Sequence, residues 1–223
     1  MSEDSGAAKQ SERGGTPNVD RLLTLSDGVV AIALTLLVLQ LRVPLLSNLN
    51  QDSPSVLAAR LGDEGDQLVA YLISFYVVAN FWLVHHRVFV QLRGQSEDLA
   101  WLNFAFLFTI SIMPFASDLI GQYGENPLAV TIFAVNLLLA SLATQATLEL
   151  ARHRGLMVKG ADPRDRRAGM LRAAGSSVVI LVSIAVAWVN PDLAKYLWLL
   201  MAVVPRLAVY LANRRTGASR SRD

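Results

Sequence analysis

The sequence predicts an all-α membrane protein with six transmembrane helices, and three observations predict it. Hydrophobic residues make up 53% of the 223 and charged residues only 17%, a balance outside the soluble classes. The run from Leu22 to Leu39 is almost wholly apolar, with its polar interruptions chiefly at Ser26, Asp27 and Thr35. At ~1.5 Å per residue it is long enough to cross a hydrocarbon core of ~30 Å. The third observation is where the cations lie. With the N-terminus on one side, the segments on that side hold seventeen of the twenty Lys and Arg residues, and the other side holds only Arg42, Arg60 and Lys195. So uneven a count in short loops sets that side as cytoplasmic, with both termini there.

The elements follow in order. Residues 1–16 are rich in Ser, Gly and charge and read as a disordered cytoplasmic tail. No cleavable signal fits their polar composition, so the first span is expected to remain. Residues 17–212 form the six-helix membrane domain, opened by Thr16-Pro17 as cap and first-turn proline. A polar, acidic connection from Ser47 to Asp66 precedes the second span, roughly Gln67 to Val90. The third runs roughly from Leu99 to Ile120. Pro114 should kink it unless a neighbouring helix serves the freed carbonyl. The fourth begins at Pro127 and reaches about Leu150. An arginine-dense connection from Arg152 to Arg172 leads to the fifth, about Ala173 to Val189. Asn190-Pro191-Asp192 then caps a sixth that reaches about Leu211, and residues 213–223 are a basic cytoplasmic tail. Trp188, Tyr196, Trp198 and Tyr210, near span ends, read as anchors at the membrane interface.

The first span has two faces. Taking Ile32 as zero and ~100° per residue, Gly28, Thr35, Leu36 and Leu39 fall within about 60° of it, whereas Ser26 and Asp27 point away. Asp27 lies ~10 Å inward from the cytoplasmic end, and His85, His86 and Asn103 lie at a similar depth on the second and third spans. A carboxylate at this depth needs partners, and these groups can satisfy one another. They can also set the titration of an imidazole, which leaves a proton-sensing role open. Cysteine is absent, which excludes thiolate chemistry and thiol-bound metal. Adjacent histidines at i and i+1 face different ways and make no metal site, so the chain does not read as an enzyme. Asn136 and Gln145 in the fourth span face either a polar path or one interhelical hydrogen bond each.

The residues also carry a resemblance. The run R-x-x-x-L-S-D-G-x-x-A-I-x-x-T-L-L from Arg21 to Leu37, W-x-x-H-H-R-x-F from Trp82 to Phe89, L-N-x-x-F-L from Leu102 to Leu107 and P-F-x-S-x-L-I-G-x-Y from Pro114 to Tyr123 follow each other across three spans. This series resembles the transmembrane protein 175 family of potassium channels in its bacterial six-helix form. Where the family pattern reads F-S-D, Leu25 stands in place of the aromatic.

The resemblance implies a symmetric homotetramer in which the first helix of each subunit lines a central pore. Ile32, Leu36 and Leu39 would form apolar constricting rings, and Thr35 a ring of hydroxyls. Arg21, Ser26, Asp27, Trp82, His85, His86 and Asn103 would hold the helices in register. The implied function is passive conduction of potassium with modest selectivity over sodium, in the cell membrane. Potassium is the permeant ion and no resident cofactor is expected. The expected partners are further copies of the chain and membrane lipids, with no nucleic acid and no small-molecule substrate. A proton-conducting channel or a proton-coupled secondary transporter is the alternative, although a transporter normally carries its polar site on broken helices at the midplane, where Thr35 is the obvious polar residue of the first span.

Overall fold

The computed structural model describes residues 17–42, 53–158 and 163–203, so the tails expected at 1–16 and 213–223 lie outside the described residues. Helix α1 spans Pro17–Leu37 and tightens into a 3-10 turn over Val38–Gln40. Next come α2, Pro54–Asp63, and α3, Gly65–Val90. Helix α4 is Glu97–Gln122, α5 is Pro127–His153 and α6 is Pro163–Ala187. Helix α7, Pro191–Leu197, passes into a 3-10 turn over Trp198–Ala202.

Local chemistry starts these helices where the sequence signals stand. Asn126 and Asn190 turn their side-chain oxygens onto the backbone N–H groups of Leu128 and Leu193, at 2.9 and 3.0 Å. Pro127 and Pro191 follow each as first helical residues, where a missing N–H costs nothing. Ser96 caps α4, with Glu97 and Asp98 against the positive end of the helix dipole.

Two polar connections hold more helix than their polarity suggests. The acidic connection contains α2, begun by Pro54 and continued by Leu57, Ala58, Ala59 and Arg60, all strong helix formers. The second half of the arginine-dense connection is the start of α6, opened by Pro163. Charge places a segment in water without deciding its backbone.

Among the described residues four helices are long and apolar enough to cross a membrane: Val19–Gln40, Gly65–Val90, Glu97–Gln122 and Pro127–His153. A shorter apolar stretch, Gly175–Ala187, ends α6. These define a multi-pass membrane protein. The sixth span expected to about Leu211 is described only through α7 and its 3-10 turn, and its remainder lies outside the described residues.

Helix α4 is the hub, packed against α1, α3 and α5; α5 in turn packs on α6, and α6 on α7. Its core stripe of Phe106, Ile110, Met113 and Ala116 meets Val77, Val78 and Phe81 of α3 and Phe133, Leu137 and Ala140 of α5. Lipid is as apolar as leucine, so helices gain little by hiding apolar surface from it. Close packing does the work instead, and the buried Ala33, Ala116, Ala134, Ala140 and Ala143 bring backbones together. A separate small core of Val19, Phe89, Leu92, Leu99 and Ala151 gathers the opposite end of the bundle from α2. There the α3–α4 and α5–α6 connections pair: Arg93 N donates to Leu156 O at 2.8 Å and Val158 N to Gln91 O at 2.9 Å.

Pro114 leaves α4 a single helix. The proline has no N–H for the Ile110 carbonyl, and beside that gap the Asn136 amide of α5 donates to the Thr109 carbonyl at 3.0 Å. Asn136 thus has the plain interhelical role, and Gln145 likewise reaches Ser177 of α6 at 2.8 Å. Trp198 corrects an expectation. Trp188 and Tyr196 are exposed, but Trp198 is fully buried, stacked on Phe133 at 4.5 Å and donating from Nε1 to Ser183 Oγ at 2.8 Å. A hydroxyl on α6 supplies the partner that lets the indole enter the core. Tyr210 lies outside the described residues.

Candidate functional site: two faces of the first helix

Helix α1 buries one face against α3 and α4 and leaves the other uncovered by its own chain. Ser26, Val30, Ala33 and Leu37 are buried. Ile32, Leu36 and Leu39 are 61%, 42% and 75% exposed, and Gly28 and Thr35 are exposed beside them. Small or branched apolar side chains thus line the open face around one hydroxyl. Thr35 Oγ1 donates to the Ile32 carbonyl at 2.8 Å, which uses its one hydrogen and leaves the oxygen able to accept.

The inner face is held by polar contacts at one level. Ser26 Oγ lies 2.8 Å from the Leu22 carbonyl and 3.0 Å from Asn103 Oδ1, which ties α1 to α4. Trp82 Nε1 donates to Asp27 Oδ1 at 2.8 Å, which ties α1 to α3. The carboxylate therefore finds an indole N–H rather than a histidine. His86 stacks beside Trp82 with ring centres 5.4 Å apart. His85 is buried and lies flat on Phe106, 4.1 Å between centres and 5° between planes, with Phe89 at 4.4 Å. Among the described residues, the buried His85 Nε2, His86 Nδ1 and Asn103 Nδ2 have no hydrogen-bond partner. Arg21 is exposed, and no ion pair involves it among the described residues.

Some contacts were not foreseen. Gln40, closing the apolar run, donates its amide to the Pro114 carbonyl and so pins the far end of α1 to α4. A lone amide at the end of a greasy helix was the available signal. Lys195 is nearly buried, with Nζ 2.7 Å from Asp192 and packed so close to Gly124 that a Cβ there would meet it at 2.7 Å. No group of three His, Cys, Asp or Glu side chains able to hold a metal ion occurs among the described residues.

Bundle and site together define a class: a multi-pass helical membrane protein whose first helix is anchored by its polar face and uncovered on its apolar one. Residues 21–114 match the family described as endosomal/lysosomal potassium channel TMEM175. A potassium channel of Streptomyces collinus is 29% identical over 178 residues, 78% of this chain and 84% of that protein. A potassium channel of Chamaesiphon minutus is 28% identical over 221 residues, 93% and 97% of the two. The human endosomal/lysosomal proton channel TMEM175 is 32% identical over 119 residues, 52% of this chain but only 22% of that longer protein. The fold matches the crystal structure of a lysosomal potassium-selective channel TMEM175 homolog from Chamaesiphon minutus, with a TM-score of 0.69 at 24% identity over 88% of this chain and 97% of that one. Together these likenesses support a bacterial member of the TMEM175 family, whose own model matches residues 21–114.

Proposed function

We propose that the chain is a passive, modestly potassium-selective cation channel, a homotetramer in which the open face of α1 from each subunit surrounds the ion path. The observation that carries it is the pairing of an uncovered Ile32, Leu36 and Leu39 stripe with an opposite face anchored at Ser26 and Asp27. One smooth helix face encloses nothing by itself, but copies around a rotation axis do. Narrow apolar rings gate by expelling water and conduct when they widen enough to stay wet. Potassium sheds water more readily than sodium, so such rings favour it modestly, and a ring of Thr35 oxygens offers a partly dehydrated ion some coordination. With the expected topology both termini lie in the cytoplasm and the Gln40 end of α1 faces outward. The bacterial relatives' names as potassium channels support the same reading.

The second reading is proton conduction, favoured by the naming of the animal relatives as proton channels and by the Asp27 carboxylate. Against it, Asp27 is bonded to Trp82, a donor with no transferable proton, and no hydrogen bond joins Asp27 to His85 or His86 among the described residues. Vesicles reconstituted with the protein separate the two. A potassium gradient should drive flux without any counter-substrate, and Leu36→Ala and Leu39→Ala should raise conductance or weaken discrimination against sodium. Strict coupling to protons, or unchanged currents in both variants, overturns the proposal.

A further inference from the structure

We propose that Ser74 of α3 and Ser117 of α4 hold a single buried water molecule between them, a site that bridges the two helices inside the membrane and stands apart from the proposed ion path.

The register of the two helices brings the serines together. His85 stacks on Phe106 at 4.1 Å, and toward the α2 end of the bundle a Cβ on Gly121 would lie 3.5 Å from Ala70 Cβ. Between antiparallel helices each step forward on one is a step back on the other, so these two pairings fix the layers between them. Ser74 stands eleven residues before His85 and four after Ala70, while Ser117 stands eleven after Phe106 and four before Gly121. Eleven residues are about three turns and return a side chain to within ~20° of the same face. Both pairings therefore place Ser74 and Ser117 in one layer of the seam, where they are 0% and 1% exposed. Ala70 and Gly121 form the next layer on one side, and the fully buried Val78 and Met113 close the other.

Their hydroxyls behave unlike the rest. The buried hydroxyls of Ser26, Thr109, Thr144, Thr147 and Ser183 each donate to a carbonyl of their own helix, and Ser141 meets Ser177. Among the described residues, Ser74 Oγ and Ser117 Oγ are the buried hydroxyl oxygens with no hydrogen-bond partner, and neither bonds the other. An unpaired hydroxyl is costly where bulk water does not reach. Two of them in one layer call for a molecule that both gives and accepts a hydrogen, and that is small enough to sit between two serines. Water is that molecule. It donates to one oxygen, accepts from the other hydroxyl, and keeps its second hydrogen for a helix carbonyl with a lone pair to spare. Small residues let α3 and α4 approach at Ala70 and Gly121, and the water adds the directional link that close packing by itself lacks. Ser117 lies one turn beyond Pro114, so the bridge joins α4 to α3 on the far side of the proline from His85.

A map of the full-length protein in nanodiscs, at a resolution that shows ordered water, tests the site directly. The expected result is a density peak at hydrogen-bond distance from both Ser74 Oγ and Ser117 Oγ. Hydroxyls bonded directly to each other, or turned onto carbonyls of their own helices with no density between, overturn the proposal. Thermal unfolding of Ser74→Ala, Ser117→Ala and the double variant gives a second measurement that needs no map. Either substitution breaks the same bridge, so each should lower the midpoint by about 2 °C, and the pair by no more than the larger single. Midpoints that rise, as they would on removing two hydroxyls that bind nothing, or losses that add, overturn the water.

Discussion

Trp82 and Asp27 show how a charge is tolerated inside a bundle that spans a membrane. The carboxylate accepts a 2.8 Å bond from an indole N–H that has no acceptor role of its own. Removing that donor while keeping an aromatic of similar shape should cost about 1–2 kcal/mol, near the top of the range for interhelical contacts in membranes. Trp82→Phe should therefore lower the unfolding temperature of the purified protein, whereas Trp101→Phe, at a position 67% exposed, should change it little. Equal shifts in the two would show that the Asp27 contact carries no stability. Asp27→Asn should be milder than Asp27→Ala in yield of folded oligomer, because an amide oxygen still accepts from the indole. At Thr35 the oxygen is the issue rather than size. Thr35→Val keeps the shape and should reduce discrimination between potassium and sodium, while Thr35→Ser should retain it; reversal potentials under mixed-ion gradients read the difference.

At the scale of elements, α4 carries a proline where an apolar helix can least afford a missing N–H, and α5 brings Asn136 to the adjoining Thr109 carbonyl. If the two features compensate, they should couple. Asn136→Leu alone should cost about 1 kcal/mol, and less once Pro114→Ala has restored the helical hydrogen bond to Ile110. Thermal unfolding of the two single variants and the double variant measures the coupling, and strict additivity would separate Asn136 from the proline. Gln40 and the Ser26 level hold α1 at two heights, and between them Val30, Ala33 and Leu37 supply apolar contacts, with Val29 and Leu34 packed beside them. If α1 lines the path as proposed, a ring at Leu36 can widen without a polar bond breaking.

Across the whole molecule, the uncovered face of α1 differs from a lipid-facing one in where its copies would meet. If four chains close around it, Leu39→Cys, on the most open of the three ring positions, should form disulfide-linked dimers within the oligomer under mild oxidation. Phe108→Cys, on the aromatic face of α4, should not, although Phe108 is 65% exposed in a single chain. Cross-linking at Phe108 and none at Leu39 would turn the oligomer around. The absence of native cysteine makes either result unambiguous.

Composition, the length of the apolar runs and the placing of cations depend only on how each residue partitions between water and lipid, so the membrane class and the two faces of α1 were legible residue by residue. The linked motifs across three spans carried the family in the same way. Which polar groups meet was not legible, because depth along separate helices ranks candidates without giving the rotation of each helix about its axis. Asp27 took Trp82 rather than a histidine, His85 turned to Phe106, and Trp198 left the interface for Ser183. Helix packing decided those pairings, since a buried hydrogen bond needs its two atoms within about 3 Å and aimed at each other. Only the folded bundle sets that geometry.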